Sequence, residues 1–400
     1  MKDAEKKIIL WGAGEVCGHI LKNNKAKDVA FIVDNAPQKS GSLFHGIPVL
    51  HPSKITDWTP YKIIIAMNRK NGFTVADQLE QYGLKEWADF EIWDYKCNLA
   101  TDVSLEIVKN ALAEIVFDKT ENLELEIPFH NRKEYEDIIK NNKAILFENY
   151  LDKVYSKLPH KAGLYPGFCE CCKKEVYFEL NYQYAGKKPN WREGAVCPRC
   201  GCNSRMRYVL DRAIRNGAAS DNKRIYLYEK MTYSYQSLSR YVPDLIGSEY
   251  LGEDKVSGNY YEGVRHEDAM NLSIESDSMD MMISMDVFEH VADFEKAFSE
   301  AYRVLKKGGK LLLTVPFYTD RDITESRAKI DAQGNIVHLK SPEYHGNPIS
   351  QEGSLVFHEY GWDLIDVLKS KGFSEVYGIA YFSVPKAYFG RFPFMIEAVK

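Results

Sequence analysis

The sequence predicts an α/β protein built on two parallel sheets with a metal-binding module between them. Three observations carry that expectation. Residues 1–97 alternate apolar runs with helical patterns, and the same rhythm resumes at residue 224 and runs to residue 400, as strands linked by crossover helices do. Between these regions, six of the eight cysteines fall within residues 169–202, in spacings that suit one metal ion better than a disulfide framework.

At 400 residues, 45% hydrophobic, the chain has enough apolar material for more than one core, because single cores stop growing near roughly 250 residues. Its longest apolar stretches, 63–67 and 311–317, are far shorter than the roughly 20 residues that span a bilayer. The basic amino end leads into a glycine turn and lacks a cleavage pattern, so a cytoplasmic protein with no membrane span is expected. With 52 basic and 57 acidic side chains the net charge is -5, which argues against nucleic acid as the general partner.

In residues 1–97, strands are expected at 7–11, 29–34 and 62–67, with a helix after Gly14. Gly12 permits the tight turn from strand to helix, Gly14 lets a phosphate approach the backbone, and Gly18 completes a GxGxxxG spacing. Asp34 ends the second strand, where a carboxylate accepts ribose hydroxyls. The stretch 8–50, with Phe31-Ile32-Val33-Asp34-Asn35 and Gly46-Ile47-Pro48-Val49-Leu50, resembles the small nucleotide-binding domain at the front of bacterial sugar acetyltransferases. That resemblance implies a Rossmann-like domain with a nucleotide-sugar or dinucleotide pocket.

Residues 98–160 show helical spacing at Leu105, Val108, Leu112 and Ile115, and again at Tyr135, Ile138 and Ile139, and are expected to form a helical connector. Residues 161–207 hold two CxxC knuckles, Cys169 with Cys172 and Cys197 with Cys200, separated by 24 residues. Each CxxC turn aims two thiolates at one tetrahedral ion, so a zinc-ribbon module with a closed, structural Zn site is expected. Cys171 and Cys202 are alternative ligands. Around the second knuckle, Lys187, Lys188, Arg192, Arg199, Arg205, Arg207, Arg212 and Arg215 face only Glu193 and Asp211 in the sequence. Either this surface faces phosphates, or its arginines pair with carboxylates of neighbouring regions.

In residues 208–400, strands are expected at 225–229, 245–249, 281–285 and 310–315. Phe294, Ala297, Phe298, Ala301 and Leu305 mark one helix face, closed by Gly308-Gly309 as a C-cap. Glu229, Glu249, Asp268 and Asp286 recur at intervals of 20, 19 and 18 residues, one strand plus its crossover each time, which brings acidic groups to one sheet edge and suits a nucleoside. The segments 278–291, containing Met285-Asp286-Val287-Phe288-Glu289-His290, and 303–317, containing Lys307-Gly308-Gly309-Lys310-Leu311, closely resemble the fourth and fifth strands of class I S-adenosylmethionine-dependent methyltransferases. The resemblance implies a doubly wound methyltransferase sheet in which Glu229 belongs to the first cofactor motif, Glu249 holds the ribose hydroxyls of S-adenosylmethionine, Asp268 the adenine amino group, and Asp286 lies at the pocket floor. The first motif departs from the family: Glu229-Lys230-Met231-Thr232-Tyr233-Ser234 stands where glycines are expected.

The segment 318–360 is too long for a connector and is expected to be a lid over the acceptor. His338 and His345 are candidate bases for a hydroxyl acceptor, with Arg321 and Arg327 available to an anionic one. The expected enzyme methylates a small-molecule or glycan acceptor in surface-polysaccharide synthesis. The alternatives are an RNA methyltransferase using the zinc module for recognition, and a non-catalytic scaffold with a degenerate cofactor motif.

Overall fold

Isoleucine-rich runs buried on both faces form the centre of the first sheet, as parallel strands covered by helices require. A computed structural model describes residues 6–22, 29–86, 88–93, 101–114, 124–140, 142–157, 163–182, 185–347 and 349–400, in two units, Met1–Thr101 and Asp102–Lys400. In the first unit, Lys7–Trp11 lies between the parallel strands Val29–Val33 and Tyr61–Ile65; Ile47–Leu50 and Phe90–Ile92 extend the sheet, and Leu43–Phe44 closes one edge antiparallel. The helix Glu15–Lys22 follows the glycine turn and buries Cys17, Gly18 and Ile20. The expected strands are all present. The expected boundary at residue 97 and the position of Ile115 lie outside the described residues.

The second unit is organised by a seven-stranded sheet. In spatial order its strands are Ile246–Gly247, Ile225–Leu227, Met279–Met285, Leu305–Thr314, Phe394–Val399, Glu375–Ser383 and Glu124–Phe129. The first four run parallel, and Phe394–Val399 is antiparallel to both its neighbours. The strand order turns back beside Ile225–Leu227, so the carboxyl ends of that strand and of Met279–Met285 open the crevice where α/β sheets bind ligands. This is a mixed sheet with four adjacent parallel strands, as the sequence predicts for this region. No helix among the described residues is long and apolar enough to cross a membrane.

Three expectations change here. Residues 98–160 are more than a connector: besides the helices Thr101–Glu114, Arg132–Ile139 and Lys143–Tyr155, they supply the edge strand Glu124–Phe129, which pairs antiparallel with Glu375–Ser383. The cysteine module is not a separate body either. Its three antiparallel strands, Leu164–Cys169, Lys174–Leu180 and Ala195–Val196, share one hydrophobic core with the large sheet, and Phe168 donates to the Pro385 carbonyl at 2.7 Å. Finally, Gly308-Gly309 does not cap a helix. The helix Phe294–Val304 stops at Val304, and the next strand begins at Leu305 and carries both glycines through an irregular register.

At the edge pair, Gly378 sits opposite Phe129, and a Cβ there would lie 2.0 Å from the Phe129 ring. Phe129 is fully buried, so its ring cannot swing into solvent. Gly378→Ala should cost about 1–3 kcal/mol, the range for overpacked cores. Urea denaturation checks this, and an unchanged midpoint would mean that the edge strand shifts freely.

Candidate active site

Strand ends position the acidic groups. Glu229 follows Ile225–Leu227 and accepts from the Met285 amide at 3.0 Å, tying together the ends of two adjacent parallel strands. Its second carboxylate oxygen is buried without a hydrogen-bond partner. Burial pushes this carboxyl well above its ordinary range, and the charges of Glu249 and Asp286 add to the effect. Glu249, after Ile246–Gly247, accepts from the Met231 amide at 2.6 Å and is likewise raised by burial. Glu229, Glu249 and Asp286 therefore share one edge, as their spacing predicts. Asp268 caps its own turn, accepting from the Met270 amide at 2.8 Å.

Asp286 differs from expectation. Its backbone is left-handed (φ 59°), and both carboxylate oxygens are taken, by the buried Arg205 at 2.9 Å and by the Thr314 hydroxyl at 3.0 Å. Rather than lining an open floor, it anchors the helix Ser204–Arg215 to the sheet, because a charged guanidinium at that depth needs a carboxylate.

The glycine-poor loop has its own logic. Tyr233 begins the helix Tyr233–Leu238, and its ring lies against the second cysteine knuckle: a Cβ on Gly201 (φ +74) would come within 2.6 Å of it. A glycine missing from this loop is thus matched by one at the knuckle. Met231 and Tyr233 both stay largely exposed.

The segment 318–360 folds into three two-stranded pieces: Glu325–Ser326 with His358–Glu359, Ala328–Ile330 with Ile336–His338, and Tyr344–Asn347 with Ser350–Leu355. Buried Glu359 holds it together by pairing with Arg321, Arg327 and Lys340. Burial opposes ionisation of Glu359, but the two arginines outweigh it and hold the carboxyl down at about 2. Arg321 and Arg327 are therefore latching groups and not, as expected, free for an anionic acceptor.

The two candidate histidines separate. His338 is exposed on the Ile336–His338 strand. His345 reaches the end of Met279–Met285, where Glu289 and His290 sit in the turn Phe288–His290. Its Nδ1 is 3.5 Å from Glu289 Oε1, and His290 Nε2 is 3.6 Å from the same atom. Glu289 is fully buried, and neither of its carboxylate oxygens has a hydrogen-bond partner. Burial pushes the Glu289 carboxyl up to about 7 and the His290 imidazole down to about 4; contact with Glu289 raises His345. Sequence reasoning missed Glu289 because an acid after a strand reads as a solvated turn. The apolar Val287-Phe288 before it was the available signal.

The four expected knuckle cysteines converge, with all Sγ atoms within 4.8 Å of one another. The alternatives Cys171 and Cys202 lie beside this set but outside it: Cys171 Sγ also lies 4.0 Å from the Arg207 carbonyl and Cys202 Sγ 3.3 Å from the Ser237 hydroxyl. Of the basic residues nearby, Arg192 and Arg205 pair with Glu193, Arg212 and Arg215 with Glu126, and Lys188 with Asp152. Arg207 is fully buried against the Phe178 ring. Pairing, and not a phosphate-facing surface, accounts for these side chains.

In the first unit, Gly12 makes the turn with φ +110 and Gly14 faces open space, but Gly18 abuts the His45 imidazole. Asp34 turns back on its own loop, accepting from the Ala13 and Ala36 amides and from Lys39 at 2.8–2.9 Å. Burial opposes ionisation, yet these donors hold its carboxyl below the ordinary range. Its acceptor capacity is therefore directed inward rather than toward a ribose.

The second unit thus combines a mixed sheet with acidic groups at the carboxyl edge of its parallel strands. Residues 248–313 match the family described as a methyltransferase domain. Phosphoethanolamine N-methyltransferase 2 of Caenorhabditis elegans is 40% identical over 70 residues, which are 18% of this chain and 15% of that protein. An S-adenosylmethionine-dependent methyltransferase from Mesorhizobium loti is similar over 48% of this chain and 98% of its own, at 16% identity and a TM-score of 0.31. The YcgJ protein of Bacillus subtilis is similar over 28% of this chain and 51% of its own, at 22% identity and a TM-score of 0.23.

Proposed function

We propose that the protein is a cytoplasmic S-adenosylmethionine-dependent methyltransferase acting on a hydroxyl of a sugar or sugar-linked acceptor. The observation that carries this reading is the unpartnered, buried oxygen of Glu229 beside Glu249 at the sheet's carboxyl edge. Such a group fits a ligand that brings donors or positive charge. Glu249 accepts the ribose hydroxyls, Asp268 faces the adenine amino group, and Glu229 offers its free oxygen to the cationic end. The cofactor supplies an electrophilic methyl group. The segment 318–360 covers the acceptor and excludes water, with His345 facing it. The four knuckle cysteines hold a structural Zn, whose thiolate set leaves no open position. The sugar assignment rests on the resemblance of the first unit, which would take a nucleotide sugar or dinucleotide beside Gly14.

Calorimetric titration with S-adenosylmethionine tests the reading. Glu249→Ala should weaken binding by about 1–3 kcal/mol, the scale for a lost charge-assisted hydrogen bond. No binding by the parent chain would favour the scaffold alternative. Filter binding to structured RNA that falls steeply with salt would favour the RNA alternative.

A further inference from the structure

We propose that Glu289, His290 and His345 form a divalent-metal site with open coordination positions, separate from the four-cysteine site. Their ligand atoms, one from each residue, lie within 4.8 Å of one another.

The placement of the two imidazoles around one buried carboxylate carries the argument. His290 Nδ1 lies 2.8 Å from the Leu355 carbonyl oxygen, which can only accept, so the ring carries its proton there. Its Nε2 is the ring nitrogen left to face Glu289 Oε1, 3.6 Å away. His345 lies between two carboxylates, with Nε2 3.4 Å from Glu343 Oε1 and Nδ1 3.5 Å from the same Glu289 oxygen. A contact between His345 and Glu289 alone would still leave His290 Nε2 facing that oxygen without a bond. A single cation among the three satisfies all of them.

Distances agree. Separations of 3.5 and 3.6 Å exceed those of hydrogen bonds. Two ligands each about 2.1 Å from one ion lie roughly 3.0–3.4 Å apart, so a small inward movement closes the set. The outer contacts, Leu355 carbonyl to His290 and Glu343 carboxylate to His345, are the kind that orient metal-bound imidazoles. Glu289 is fully buried and neither oxygen has a hydrogen-bond partner, and a carboxylate at that depth is costly unless a cation meets it.

Two imidazoles and one carboxylate suit a first-row divalent ion such as Mn2+, Fe2+ or Zn2+, and three protein ligands leave room for oxygen ligands. The site joins the end of the strand Met279–Met285 to the Tyr344–Leu355 hairpin, so the open positions would take oxygens of the acceptor. Only this last point rests on the function proposed above.

Titration with Mn2+ of the full chain loaded with a single equivalent of zinc, followed by electron paramagnetic resonance, tests the site, because the four thiolates take the zinc and Mn2+ avoids thiolate sites. One Mn2+ per chain is expected, with affinity at least tenfold weaker in Glu289→Gln and in His345→Ala, and unchanged in His338→Ala. Zinc content measured in parallel should stay at one per chain in every variant, which shows that the fold is kept. Absence of stoichiometric Mn2+ uptake, or equal uptake by parent and His345→Ala, overturns the proposal. Cofactor calorimetry on the same samples reads the function proposal independently: Mn2+ binding without S-adenosylmethionine binding leaves this site standing and removes that function.

Discussion

Replacing Cys200 by Ser is expected to abolish zinc retention and cooperative folding of the second unit. Structural zinc contributes on the order of 10 kcal/mol to the folding of small modules, comparable with the roughly 5–15 kcal/mol total stability of a typical domain. Here the loss cannot stay local. Cys169, Cys197, Cys200 and Tyr208 belong to the same core as the strands Met279–Met285 and Leu305–Thr314, and Tyr233, in the loop after Ile225–Leu227, lies on Gly201. Zinc analysis with near-ultraviolet circular dichroism melts should show both losses together. Cys171→Ser is the control, since Cys171 lies outside the four converging thiols; it should keep one zinc per chain. A Cys200→Ser protein that melts like its parent would end the structural-zinc reading.

The second large effect is expected at Arg205. Its guanidinium is buried and bonds Asp286, Glu193 and Thr314. Arg205→Met keeps the side-chain length but strands carboxylates in a region with little water, at a cost of about 3–5 kcal/mol. Chemical denaturation measures it; a loss below about 1 kcal/mol would place Arg205 among ordinary surface pairs. The pH profile adds a second readout. Burial opposes ionisation of Glu193, but Arg205 and Arg192 outweigh it and hold the carboxyl at about 2, against 4.5 ordinarily. Because the native value is depressed, this stabilisation is present above pH 4.5 and lost as pH falls through about 2. In Arg205→Met the acid-side loss from this group should shrink.

Period and spacing made much of the molecule legible. The strands around residues 7–11, 225–229 and 281–285 are short apolar runs bounded by turns, the pattern a doubly buried parallel strand leaves, and their length of about five residues sets them apart from buried helices. The cysteine quartet was legible for a similar reason: the geometry of a CxxC turn is local, and two such turns suit one tetrahedral ion. The edge strand Glu124–Phe129 was not legible. Half-polar and only partly buried, it acquires its identity from its partner Glu375–Ser383, some 250 residues away.

The acidic residues at the strand ends show where local reading stops. Regular intervals of one strand and one crossover place Glu229, Glu249 and Asp286 at one edge, so the chain alone determines that they meet. It does not determine what each carboxylate bonds. Asp286 and Arg205 are 81 positions apart, Glu289 and His345 are 56 apart, and Glu359 is reached by Arg321 and Arg327 from across the segment 318–360. Partner choice among charges depends on which groups folding buries together, because burial turns a weak solvated attraction into an obligatory pairing. Only the assembled fold could therefore separate His345 from His338, or free Glu229 while closing Asp286.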